Sequence, residues 1–291
     1  MSGQGAFGGD AARKHALIAD VADKGPVYTA WLTPAVLDGK PGDLAAGQGL
    51  HPAIGYLLPP LGTYDQEADS GVFYQAALEA VPVGADEPGI VRAWFLWAWD
   101  HPTYGLSIPL RGTSLEAAAE TIIDLVRESR SKPIEPKRWR QARAALSAKM
   151  DETGLDPEIA DPILSMAWDI ETTPAIGADV FSAWMGPVFQ AAHTSQTWTE
   201  ADAQAHGAKL GELSQKAMAE IGEVRQGDPE QYAQYKAIME TLWSGDPATA
   251  TLYRRQQAHQ AAANAIIAAW RAEVRRGFIA CAEAAAQAVA A

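Results

Sequence analysis

The pattern of apolar and polar positions changes near Thr113. Before it, apolar residues fall in short alternating or continuous blocks. After it, they recur every three or four residues. The densest block is Ile90–Leu110, with Trp94, Trp97 and Trp99 inside six residues. On a strand, Val91, Ala93, Phe95, Trp97 and Trp99 would face one side, and Ile90, Arg92, Trp94, Leu96 and Ala98 the other. Both faces are mostly apolar, as expected of a central strand covered on both sides. Asp100–Gly105 has hairpin-turn chemistry and leads to a partner strand, Leu106–Leu110, where Pro109 limits pairing to an edge. Val27–Thr33 is a further strand candidate. Val72–Val83 is another, its alternation outweighing the helix-favouring Gln75–Ala80. Ala11–Lys24 predicts a helix closed by Gly25-Pro26. Pro34–Gly71 carries five prolines and seven glycines, so it predicts a long loop packed on the sheet. Gly3, Gly5 and Gly8 have G-x-G-x-x-G spacing, but only two residues precede them. Residues 1–10 are therefore expected to be a flexible tail, not a dinucleotide site.

From Thr113 the spacing is helical. Thr113 and Glu116 can form a capping box before Leu115, Ala118, Ala119, Ile122, Ile123 and Val126. Pro133 and Pro136 then mark the expected domain boundary. Five pairs follow in which an acidic residue precedes proline: Glu135-Pro136, Asp156-Pro157, Asp161-Pro162, Asp228-Pro229 and Asp246-Pro247. Each places a carboxylate against free amides, with proline where its missing N–H is harmless. Thr199–Asp202 is a further cap. Helices are expected at about 137–152, 157–171, 175–193, 200–226, 229–243 and 247–288. The last would be about 60 Å long. Ile266, Ile267, Trp270, Val274, Phe278, Cys281 and Ala285 trace one stripe along it, either the spine of its own bundle or a face for a partner. The expected fold class is α+β: a small antiparallel sheet with helices in residues 11–130, then an all-helical domain over 131–291 with a long C-terminal helix.

Net charge is −13, which opposes binding to bulk nucleic acid or to an anionic membrane. No run approaches the length of a membrane span, and the start lacks a secretory pattern. The single cysteine, Cys281, excludes an internal disulfide and fits a reducing cytoplasm. On its apolar stripe it reads as a small hydrophobe.

Candidate chemistry is sparse. Asp100-His101, with Tyr104 and Arg111 nearby, could supply a general base at a strand exit. Asp65, Glu67, Asp69, Asp86 or Glu87 would be the second acid, and residues 34–71 a lid. The competing account is that these are turn residues. Asp202 and His206 share a helix face but are two ligands where a metal needs three or four, so no metal or cofactor is expected. Eight basic residues lie within 127–149, opposed by Glu128 and Glu135. Among them Arg138-Trp139-Arg140 could stack on a base or hold a phosphate. Otherwise they neutralise acidic surface. A second set, Arg254, Arg255, Arg271, Arg275 and Arg276, flanks Trp270 on the last helix. Ten tryptophans, if exposed, would mark an interface.

These features together predict a non-enzymatic binding or assembly protein, a description that an accessory or structural protein of a phage or mobile element would fit. Its C-terminal helices would contact a protein partner or a second copy. Arg138, Trp139, Arg140, Trp270, Arg271 and Arg275 are the binding candidates. The alternatives are a hydrolase centred on Asp100 and His101, and a regulator that contacts nucleic acid through residues 127–149.

Overall fold

The computed structural model describes residues 5–25, 40–63, 67–153, 157–194, 197–222 and 228–290. Among them there is no strand. The elements are helices α1 (Ala11–Lys24), α2 (Pro41–Gly47), α3 (Pro52–Gly62), α4 (Glu67–Ala80), α5 (Glu87–Asp100), α6 (Glu116–Ser129), α7 (Pro136–Thr153), α8 (Asp161–Met166), α9 (Ile176–His193), α10 (Glu200–Ile221), α11 (Pro229–Ser244) and α12 (Pro247–Ala290).

The expected α+β class is thus overturned. The supposed central strand is α5, and its supposed partner holds a single turn of 3-10 helix, Ile108–Leu110. Beyond its first turn the buried residues are Ile90, Val91, Trp94, Phe95, Ala98 and Trp99, a three-and-four pattern. A helix inside a core is apolar nearly all round, so its sequence also satisfies an alternating template. Val72–Val83 lies mostly in α4, and the punctuated stretch 34–71 contains α2 and α3. There proline opens each helix, where its missing amide is harmless, and Pro59 and Pro60 sit inside α3 near its end. The Val27–Thr33 strand lies outside the described residues.

Two of the acid–proline pairs cap their helices as expected. Asp228 accepts from the Gln231 amide at 3.0 Å, and Asp246 from the amides of Ala248 and Thr249 at 3.0 Å each. Pro136 begins α7 after Glu135, whereas Asp161 enters α8 itself and makes no side-chain cap. Thr199 and Asp202 form the full capping box. At α6 the box does not form. Thr113 Oγ1 accepts from the Leu115 amide and Glu116 from the Gly112 amide.

Contacts divide the chain into two units: residues 1–187 with 270–291, and residues 188–269. The expected boundary near 131 falls inside the first. In that unit α5 packs on α3 and α6, α6 on α7 and α8, α1 on α4, and α2 on α3. An aromatic centre joins them: the Trp184 ring lies 6.3 Å from both Trp94 and Trp97 and 5.5 Å from Trp270, which stacks on Phe181. Gly277 of α12 lets the Trp97 ring approach so closely that an added Cβ would lie 2.5 Å from it. The expected tail is docked over its described part. Ala6 and Phe7 are fully buried, and Ala6 exchanges backbone hydrogen bonds with Gly84 and Ala85. Gly5 and Gly8, at φ 60° and 63°, make the left-handed turn that places Phe7 there.

The second unit holds α10 packed on α11 around Leu213, Ala217, Met239 and Trp243. A smaller cluster joins Ala192, Ala263 and Ile267.

Candidate binding site

The site lies in the first unit, where α6 ends, α7 begins and the chain leaves α8. Ile134 is buried in the α6–α7 turn. Trp139, Ala142 and Leu146 form the buried stripe of α7, so Trp139 points inward. After α8, Ala167 leaves helical geometry and Trp168 follows. A turn then fixes the next residues: Asp169 accepts the Glu171 amide on its side chain at 3.1 Å, and its carbonyl accepts the Thr173 amide at 2.8 Å.

These segments enclose a cavity of about 260 Å³. Phe95, Ile134, Trp139, Met166 and Trp168 supply apolar wall, and Arg92, Lys132, Asp169 and Glu171 supply charge. That volume lies below the usual range for drug-sized ligands and suits one side chain or a small molecule. Trp168 is 45% exposed, while every other described tryptophan is buried or half-buried. It is not loose. The Arg143 guanidinium lies 3.5 Å from its ring centre and donates to the Ala167 carbonyl at 2.5 Å.

One wall continues into a polar cluster. Glu171 meets His51 Nε2 and Arg92 at 3.4 Å each. His51 caps α3, its Nδ1 accepting from the Ala53 amide at 3.1 Å, and its own amide donates to Glu87 at 2.9 Å. Burial pushes the Glu87 carboxyl up to about 8, and neighbouring Asp86 pushes the same way. Burial also lowers the His51 pKa, against the pull of Glu171.

The residues expected to act as a hydrolytic site are placed otherwise. Asp100 ends α5 and is exposed. His101 Nδ1 accepts from the amides of Thr103 and Tyr104 at 3.2 and 3.0 Å, and Tyr104 stacks on its ring. With Nδ1 so committed, the imidazole is a cap for the turn after α5. Its nearest acid is Glu273 of α12, 3.9 Å from Nε2. Among the candidate second acids, Glu87 meets His51, and Asp65 lies outside the described residues.

The basic residues of 127–149 are partly neutralised where they stand. Arg138 makes a two-pronged bond to Glu128 at 2.7 Å, Lys132 meets the same carboxylate at 3.0 Å, and Arg127 meets Asp124 at 2.7 Å. Arg140 is exposed, and Trp139 is buried in the cavity wall. On α12, Trp270 is fully buried. Arg271 is half-buried beside it. Arg275 donates to the carbonyls of Leu61 and Gly62 at 2.7 and 3.2 Å and lies over the Phe73 ring. It closes the end of α3. Asp202 is held by Thr199 and Arg255, and His206 stacks on Trp243 5.0 Å away. No group of three or more His, Cys, Asp or Glu among the described residues could hold a metal. Burial raises the Cys281 thiol to about 11, which leaves it protonated and a poor nucleophile near neutral pH.

Sequence reasoning placed Trp139 among the binding candidates and Arg143 within the basic stretch 127–149, but missed Trp168, Arg92 and His51. The residues of the site come from separate segments, and nothing in local spacing ties them together. No protein family, curated protein or solved structure matches the chain. Among the described residues no helix is long and apolar enough to cross a membrane.

Proposed function

We propose that this chain is a non-enzymatic binding protein, and that the cavity at Trp139 and Trp168 receives one apolar anchor residue of a protein partner. The observation that carries this reading is Trp168, an exposed tryptophan held in place by Arg143 at the mouth of a cavity of side-chain size. Tryptophan and arginine dominate the energetics of protein interfaces, above all where an anchor fills a pocket. A site ordered before the partner arrives loses little entropy on binding. The contact surface first expected on the C-terminal helices draws support from Leu210, Met218, Tyr232 and Ile266, exposed apolar residues of the second unit. Trp270 and Arg275 do not add to it, being occupied inside the first unit.

Fluorotryptophan labelling tests the reading. The Trp168 resonance, assigned through Trp168→Phe, should shift when short peptides carrying a single leucine, phenylalanine or tryptophan are added. The buried Trp94 and Trp270 should stay still. If no anchor of any kind moves Trp168, the reading fails.

A further inference from the structure

The surroundings of the cavity say more about its occupant. Three acids nearby are already engaged: Glu128 by Lys132 and Arg138, Glu171 by His51 and Arg92, Asp169 by a backbone amide of its own turn. The cations are less completely matched. Arg143 covers one face of Trp168, and its hydrogen bond among the described residues is to a backbone carbonyl, with no carboxylate among them paired to its charge. Arg140, one helical turn earlier on α7, is exposed and close enough to act on Arg143 as a like charge. The Arg92 side chain is 12% exposed in the cavity wall, and its contact with Glu171 is a long one at 3.4 Å. Residues 127–143 carry seven cations (Arg127, Arg130, Lys132, Lys137, Arg138, Arg140, Arg143) against Glu128 and Glu135, a local excess of five on a chain of net charge −13. Two neighbouring guanidiniums with no carboxylate between them are held at a cost that an incoming anion would relieve. The planar fork of arginine matches a carboxylate in particular.

We infer that the partner segment is acidic: an apolar anchor enters the cavity between Trp139 and Trp168 while aspartate or glutamate side chains beside it meet Arg140 and Arg143. This rests on the anchor reading above and adds the chemistry of the flanking residues.

The test uses the full chain and three fluorescently labelled peptides, each with one central leucine, flanked by glutamates, by serines or by lysines. A labelled oligothymidylate is the fourth probe. Binding is read by anisotropy at low and high salt. The glutamate peptide should bind at least about tenfold tighter than the serine peptide at low salt, and the gap should close at high salt. Arg140→Glu, at an exposed position, should erase the gap without weakening the serine peptide. Trp168→Ala should weaken both.

Equal binding of the glutamate and serine peptides would overturn the acidic inference and leave the anchor reading standing. Preference for the lysine peptide overturns it too. Tighter binding of the oligothymidylate than of any peptide would assign the cations to nucleic acid. Binding of none of the four would sink the anchor reading together with this one.

Discussion

Residue by residue, the first unit shows a recurrent use of half-buried cations to finish helix ends. Lys14 reaches from α1 to the carbonyls of Glu79 and Val81, both at 2.7 Å, at the end of α4. Arg275 does the same for α3 from more than 200 residues away in sequence. Cations at a helix C-terminus meet orphan carbonyls and the negative end of the dipole. Glu87 is the costly exception. Its carboxyl is buried and, among the described residues, accepts a hydrogen bond from the His51 amide alone, so the fold holds it protonated up to about pH 8 against an ordinary value of 4.5. The sign of the consequence follows. Between those two values the folded chain binds more protons than the unfolded one, so this group's contribution is complete below about pH 4.5 and is lost as pH rises through about 8. Glu87→Gln keeps the acceptor for the His51 amide and removes the titration. Urea unfolding should find the variant more stable than the parent at about pH 9, by roughly 2–4 kcal/mol, and nearly equal at about pH 5. A parent stability that does not fall relative to the variant across this window would refute the buried-carboxyl account.

At the scale of elements, glycine positions separate close packing from open surface. Gly277 lies under the Trp97 ring, which is itself wedged against Trp184 and His101. Gly277→Ala gains about 1 kcal/mol of helix propensity but forces a methyl to 2.5 Å from an indole that packs against two other rings. Overpacking of about 1–3 kcal/mol wins, and the melting temperature should drop. Gly211, inside α10 with nothing within 4 Å of an added Cβ, is the control. Gly211→Ala should raise stability by up to about 1 kcal/mol. If both variants shift the same way, the close approach of α5 and α12 is wrong. The same pair of helices shows what the sequence could tell. The C-terminal helices were legible because acid–proline pairs punctuate them and polar residues interrupt their apolar stripes. The device recurs at Asp86-Glu87-Pro88, where Asp86 caps α5 through the Gly89 amide at 3.1 Å. That signal was available, but the apolar run after it satisfied a strand template as well as a helical one. Pro34–Gly71 is misleading for the opposite reason: a proline that begins a helix and one that prevents it look alike in the sequence. Of the site, Trp139 stood out by its flanking arginines. Trp168 did not, because its exposure depends on how α8 ends.

For the whole molecule, the two units differ in how much they bury. Among the described residues of the second unit, the buried hydrophobic side chains are Ala192, Leu213, Ala217, Met239, Trp243, Ala263 and Ile267, and three of these seven are alanines. The first unit buries Trp94, Trp99, Trp139, Trp184 and Trp270 along with most of the remaining large apolar residues. Burial of apolar surface contributes about 25 cal/mol per Å², so a core of seven side chains, three of them alanine, gains little from packing. Part of the difference is made up by stacked rings: His206 and Tyr253 lie on Trp243, and His259 lies on Trp198, at 5.0 to 5.6 Å. Such pairs add about 0.5–1.5 kcal/mol each, too little to match an aromatic core. Local opening should therefore be easier in the second unit. Native-state hydrogen exchange of the full chain should show the amides of α10 and α11 exchanging faster than those of α5 and α6, and by sub-global opening whose free energy falls below that of global unfolding. Denaturant should unfold α10 and α11 first. Equal protection of α5 and α10 would mean that the thin core is stabilised as strongly as the thick one, and that buried area does not set the order in which this chain comes apart.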